Sequence, residues 1–305
     1  MKPMPIKSYF VVLLSLFLLG CTSMRSVHFA AIGDTPYEAN EKQLTSLQQT
    51  FKEISANNIP FLIHVGDIFK GWDGCEADKY ALRARLFKQI PMPLLITIGD
   101  NEYNDCVDPM LAQRHFRDII LGNPPFEGKV SGADPKYAAI AITRQASQIE
   151  NAVWSHKNVL FIMLVLPDLP GNYPLTDLEI DDMLESNTTF LKQHLAHASA
   201  SKHDAAVVIT HSEPELCNVD ACEKFKLGLK QTLKNFSKPV LFIHGSDHSS
   251  NYIANNYLNV RNWARLRPGS EPDVMWPEIV FLPEQSKFTI IWHDGPWLRK
   301  DRQQK

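Results

Sequence analysis

The stretch Ile63-His64-Val65-Gly66-Asp67 decides how this chain is read, because its pattern occurs twice more. Ala30-Ala31-Ile32-Gly33-Asp34 precedes it, and Ile96-Thr97-Ile98-Gly99-Asp100-Asn101-Glu102 follows. In each, a short apolar run stops at Gly-Asp, the pattern of a buried strand entering a sharp turn. Ligands of open α/β sheets bind beyond the carboxyl ends of the strands, so Asp34, Asp67 and Asp100 are expected to converge on one rim. Converging carboxylates repel one another unless protons or cations intervene. A metal site resolves the repulsion.

The sequence around these strand ends supports a layered α/β fold. Leu44, Leu47, Phe51 and Ile54 make one apolar helical face within 38–56, and Leu82, Leu86 and Phe87 make another within 77–89. A third helix is expected over 109–120. Strands over 27–32, 60–65 and 93–98 alternating with these helices indicate parallel βαβ units. Strand-like pieces at 137–143, 149–154 and 158–166 are joined by short links, which implies antiparallel pairing and the start of a second sheet. A helix over 177–198 opens with Asp177, Glu179, Asp181 and Asp182, where the helix dipole favours negative charge. Residues 205–210 form an apolar run ending at His211, and a helix is expected over 221–235. The strand at 239–243 ends in His244-Gly245-Ser246-Asp247-His248. Strands at 279–282 and 288–292 close the chain after a loop-rich stretch around Arg261 and Pro268.

The first twenty residues have the composition of a targeting leader: Lys2 and Lys7, an apolar run from Phe10 to Leu19, then Leu18-Leu19-Gly20-Cys21. The run is short for a membrane span. It resembles a bacterial lipoprotein signal, which implies that Cys21 is the lipidated first residue of the mature chain. Thr22 lacks the aspartate that holds such proteins at the inner membrane, so the resemblance implies the periplasmic side of the outer membrane. Removing Lys2 and Lys7 takes the formal net charge from -3 to -5. A mildly acidic chain has no global attraction for nucleic acid. Cys75, Cys106, Cys217 and Cys222 remain, an even count that in an exported chain suggests two disulfides with three pairings open. Cys217 and Cys222 can close a small loop, and Cys75 and Cys106 can pin two Gly-Asp loops together. Residues 21–305 are expected to form one domain with its core at about 27–292, and the oligomeric state is left open.

Mixed oxygen and imidazole donors at five strand ends suit Zn, Fe or Mn better than Ca or Mg. Gly-x-Ser-x-Gly, GxGxxG and P-loop patterns are absent from the sequence. The order Gly-Asp, Gly-Asp, Gly-Asp-Asn-Glu, strand-His and Gly-x-x-His resembles the calcineurin-like metallophosphoesterase superfamily. The resemblance implies a four-layer α/β/β/α sandwich with two mixed sheets. It also implies two divalent or trivalent metal ions holding a bridging hydroxide that hydrolyses phosphate esters. Carried over by position, it implies Asp34, Asp67, Asp100 or Asn101, His211 and His248 as metal ligands.

The departures from the family pattern set the remaining expectations. The family's first block is Asp-x-His, whereas this chain has Asp34-Thr35-Pro36. Its third is Gly-Asn-His, with Asn on metal and His as acid. Here either Asp100 is the ligand and Asn101 stands at the acid position, or Asn101 is the ligand and Glu102 stands there. In the last block Ser246 replaces the first histidine, leaving His244 or Asp247 to compensate. Leaving-group protonation then falls to Glu102, His244 or solvent, which predicts faster hydrolysis of aryl than alkyl phosphates. Glu102-Tyr103-Asn104-Asp105-Cys106 and Pro272-Asp273-Val274-Met275-Trp276 resemble a variant branch of the superfamily. The same departures support a second reading, a non-catalytic lipoprotein of this fold that acts as a binding module.

Overall fold

In the computed structural model, which describes residues 26–297 except 39, 72–73, 174, 202, 218, 271 and 273–274, two sheets pack face to face between helices. The leader, Cys21, Asp273 and Val274 lie outside the described residues. The first sheet has the order β13-β12-β1-β2-β3. Its parallel core is β1 (Val27–Ile32), β2 (Leu62–His64) and β3 (Leu94–Ile96), connected through helices α1 (Glu41–Ala56) and α2 (Ala77–Phe87). The long hairpin of β12 (Met275–Leu282) and β13 (Lys287–Asp294) adds antiparallel to β1.

The second sheet has eight strands. Four of them, β4 (Glu127–Val130), β5 (Ile140–Arg144), β6 (Ala152–His156) and β7 (Val159–Met163), form the antiparallel run. The direction then becomes parallel through β8 (Ala205–Ile209), β9 (Val240–Ile243) and β11 (Trp263–Arg267), with β10 (Asn251–Ile253) on the edge. Helices α3 (Pro109–His115, continuing as a π-helical turn over Phe116–Ile120), α4 (Asp177–Ala200) and α5 (Asp220–Lys234) complete the described helices.

Strand periodicity sorts the side chains into layers. Phe29, Phe61 and Ile63 of the first sheet meet Trp154, Phe161, Val207 and Leu241 of the second in one buried cluster. Phe161 sits edge-on to Phe29 and Phe61, with centroids 5.1 and 5.3 Å away, and stacks on Trp154 at 5.1 Å. Truncating such a side chain to alanine costs about 3–5 kcal/mol. The alternate residues, among them Ala30, Leu62, Ile162 and Val208, join Phe51, Ile54, Leu191 and Phe225 of the helices. The result is the expected α/β/β/α sandwich.

Helix starts follow side-chain capping. Asn40 Oδ1 accepts from Gln43 N at 2.9 Å to begin α1. Thr176 and Glu179 form a capping box at α4, so Glu179 has a specific job beyond the helix dipole. Both disulfides form, Cys75–Cys106 and Cys217–Cys222. Among the described residues no helix is long and apolar enough to cross a membrane.

Three strands depart from the sequence reading. The stretch around Arg261 and Pro268 contains β10 and β11, and β11 buries Trp263 and Leu266 completely. Arg265 and Arg267 break its apolar pattern because their guanidinium groups pair with carboxylates, the buried Glu213 and the exposed Asp247. The edge strand β4, Glu-Gly-Lys-Val, is half-exposed and carries no apolar alternation to read.

Candidate metal centre

The strand ends deliver their acids through a repeated backbone device. Asp34, Asp67 and Ser246 adopt positive φ of 54°, 59° and 68° immediately after their glycines, a left-handed turn that aspartate tolerates better than most residues. Gly66, with φ 94°, is required outright: a Cβ there would lie 2.7 Å from Gly99 N and 2.9 Å from His211 Nδ1. Neighbouring strand ends are thus packed backbone to backbone, which brings their side chains together.

Two groups of ligand atoms result, each within 4.8 Å: Asp34, Asp67 and His248, and Asp67, Asp100 and His211. Asp67 belongs to both. His211 is fully buried, and its Nδ1 donates to Val65 O at 2.7 Å. That bond leaves Nε2 facing Asp100 Oδ1 at 2.7 Å and Asp67 Oδ1 at 3.4 Å. Asp34 Oδ2 is buried without a hydrogen-bond partner, and His211 Nε2 and Asp100 Oδ1 have only each other and Asp67 to face. These atoms around a carboxylate-rich space fit a pair of cations, and an imidazole whose second nitrogen is fixed by a carbonyl is a typical metal ligand. The oxygen-rich set with one histidine per side suits hard or borderline ions.

Electrostatics points the same way. Burial pushes the Asp34 and Asp67 carboxyls above the ordinary range, with His211 pulling in the opposite direction. Burial opposes a charged His211, but Asp67 and Asp100 outweigh it and hold the imidazole well above its usual value. Without cations the cluster is stable only by retaining protons.

The structure brings together Asp34, Asp67, Asp100, His211 and His248. Asp100 joins the cluster, whereas Asn101 turns onto Asp67, its N and Nδ2 lying 3.2 and 2.7 Å from the carboxylate oxygens. Asn101 therefore orients Asp67. Glu102 is not available as a leaving-group acid: it is 0% exposed, and its carboxylate accepts from Gly99 N, Asp67 N and Ile68 N at 2.8–3.1 Å. Burial pushes that carboxyl up to about 7 against the pull of these donors. His244 is also turned away. Its Nε2 lies 3.6 Å from Glu213, which is held by Arg265 and Tyr257. Asp247 pairs with Arg267 and does not compensate for Ser246.

Two contributors escaped the sequence reading. Tyr37 Oη stands 2.7 Å from His248 Nε2, 3.1 Å from Asp67 Oδ2 and 3.4 Å from Asp34 Oδ1. It occupies the first-block loop that lacks the family histidine. Asp168, in the loop after β7, accepts from Ser246 Oγ at 2.6 Å, while Ser246 N donates to Asp34 Oδ1 at 3.1 Å. Tyr37 follows a Gly-Asp strand end by three residues and Asp168 follows none, and neither residue type carries a metal-ligand spacing in the sequence.

No family model and no curated protein matches the chain. Solved structures do. A dimetal phosphatase from Danio rerio superposes with TM-score 0.54 at 12% identity, covering 83% of this chain and 92% of that one. Purple acid phosphatase PPD1 from yellow lupin gives 0.56 at 11%, covering 88% of this chain and 51% of that one, so this chain spans about half its length. GAP50, the anchor in the inner membrane complex of Plasmodium, gives 0.52 at 16% and 88% of each chain. The chain has the calcineurin-like metallophosphoesterase fold.

Proposed function

We propose that this protein is a metal-dependent phosphoesterase, held in the bacterial cell envelope by an acylated Cys21 on the periplasmic side of the outer membrane. The observation that carries the activity is the sharing of Asp67 between the two ligand groups. Asp34 and His248 would complete one position, and Asp100 and His211 the other. Two ions so held, when bound, supply a hydroxide nucleophile at neutral pH and neutralise the phosphoryl oxygens.

The chain's own residues then have separable tasks. His211, locked by Val65 O, keeps its Nε2 lone pair directed at the centre. Asn101 fixes the rotation of Asp67. Burial and the neighbouring Asp67 and Asp34 push the Tyr37 phenol upward from its ordinary value, so Oη retains its proton beside the cluster. With no buried acid aimed at a leaving group, esters of acidic alcohols are the favoured substrates.

Substitution separates the two positions. Asp34→Asn and Asp100→Asn should each retain about one ion per chain by elemental analysis, and Asp67→Asn should retain neither. Full metal content in Asp67→Asn would overturn the dinuclear reading. The second reading, a binding module, draws on Pro36 and Ser246 standing where the family pattern has histidine, and on the role of the Plasmodium neighbour GAP50 as an anchor. A folded wild-type chain that retains no metal would favour it.

A further inference from the structure

We infer that a cavity at one edge of the sandwich is a second ligand site, separate from the metal centre, for a small anionic amphiphile whose charged head meets Arg144. The smaller sheet ends at β3, and its five strands face a sheet of eight. The mismatch leaves about 250 Å³ open between the two sheets. Leu95 and Ile96 of β3 form one wall, and Ile142, Ala152 and Met163 of β5, β6 and β7 form the other, all of them buried. No lining residue belongs to either candidate ligand group of the metal centre. Apolar walls with a few fixed polar groups are the usual make-up of a small-molecule site. The space takes a ligand of about eight heavy atoms, at roughly 30 Å³ for each water-sized group.

Strand alternation places the polar group. Ile140, Ile142 and Arg144 share one face of β5, so an arginine stands where the pattern calls for a third apolar residue. Arg144 pairs across the ladder with Ala152, and Ala152 with Met163. The arginine thus shares a row with two wall residues, and it lines the cavity itself. It is 6% exposed, its NH1 donates to Ile149 O at 3.0 Å, and its Nε is buried with no partner. Glu150, whose field reaches Arg144, is already gripped by Arg117 through Nε and NH2. Two guanidinium groups therefore share one buried carboxylate, and an incoming anion would balance the excess. Burial lowers the Arg144 guanidinium to about 10, with Glu150 pulling upward, so it is charged at neutral pH. The exposed Lys88 adds the same sign, and no aspartate or glutamate stands among the described lining residues. A buried donor left unpaired is costly, and a ligand oxygen would satisfy it. The matching chemistry is one anionic head on a short hydrocarbon body, as in a medium-chain carboxylate.

The test measures binding to the full chain by calorimetry with three probes: octanoate, its uncharged counterpart octanamide, and the shorter butyrate. Octanoate should bind saturably. Octanamide should bind about tenfold more weakly, the loss of one charge-assisted hydrogen bond. Butyrate should also be weaker by about tenfold or more, because it leaves the apolar walls bare. Arg144→Gln should make octanoate and octanamide equal, whereas Ala152→Leu, which fills the cavity and leaves the charge in place, should weaken both several-fold. Absence of saturable octanoate binding, equal affinity for octanamide or for butyrate, a carboxylate preference retained in Arg144→Gln, or full affinity in a folded Ala152→Leu overturns the inference. The three-probe comparison on the unsubstituted chain decides the matter even where a variant fails to fold.

Discussion

His211 Nδ1 lies 2.7 Å from the carbonyl oxygen of Val65, two residues before Asp67. A side chain from the second sheet is thereby tied to the backbone that leads into the shared carboxylate of the first. One hydrogen bond fixes tautomer, ring rotation and inter-sheet distance together.

Removing that side chain has two effects. His211→Ala should lower metal content from about two ions to about one. It should also destabilise the metal-free chain by about 3–5 kcal/mol, because Asp67 and Asp100 lose the positive partner they face in the interior. Elemental analysis and urea denaturation read the two effects separately. Unchanged metal content would remove His211 from the ligand set.

Glu102 should behave as a structural brace. Glu102→Ala strips the acceptor from three buried N–H groups, at about 1–3 kcal/mol for each group left unsatisfied. Glu102→Gln keeps one acceptor oxygen but puts an amide against a donor, and should recover only part of the loss. A fully stable Glu102→Ala variant with a changed pH-rate profile would instead return the residue to an acid–base role.

Acid sensitivity has a buried source in His64. Burial pushes this imidazole down to about 4, with Nε2 donating to Thr35 O at 2.7 Å and Nδ1 accepting from Gly66 N at 3.2 Å. The unfolded chain takes up the proton near pH 6.5, whereas the folded chain resists it until about pH 4. The stabilisation is therefore complete above pH 6.5 and falls away as the pH drops toward 4, by roughly 3 kcal/mol. Urea midpoints between pH 7 and 4 should decline, and His64→Gln should flatten the decline. An equally steep slope in that variant would assign the acid sensitivity to other groups.

The two disulfides should differ in weight. Cys75–Cys106 closes a loop of 31 residues and Cys217–Cys222 one of 5. Chain entropy then gives about 3.7 and about 2 kcal/mol respectively. Thermal denaturation of the paired serine variants measures the difference, and a larger loss from the shorter loop would contradict the ordering. Because Cys75 and Cys106 flank the carbonyl of Asn101, the first pair should also weaken metal retention while the second should not.

The Gly-Asp strand ends made most of the fold legible, together with three of the five residues that gather in the candidate ligand groups. A buried strand, a tight turn and an acid leave a local mark in sequence, and their order along the chain gave the layers. Tyr37 and Asp168 left no such mark, because they reach the centre by tertiary packing from loops with unremarkable spacing. Glu102 and His244 turn to partners outside the cluster for a related reason. Sequence places a titratable group beside a site, but the direction of its side chain is decided by which buried N–H groups or charges need it more. Tyr37 also explains how the first block departs from Asp-x-His without leaving that side of the cluster empty.

The candidate ligand groups draw on both sheets: Asp34, Asp67 and Asp100 follow strands of the first, His211 and His248 strands of the second. The aromatic layer around Phe161 is therefore the alignment gauge of the centre as well as its foundation. A conservative change there, such as Phe161→Leu, would shift one half of the coordination shell relative to the other. Its effect would register as altered metal preference before it registered as unfolding, so the packing between the sheets tunes the chemistry from a distance.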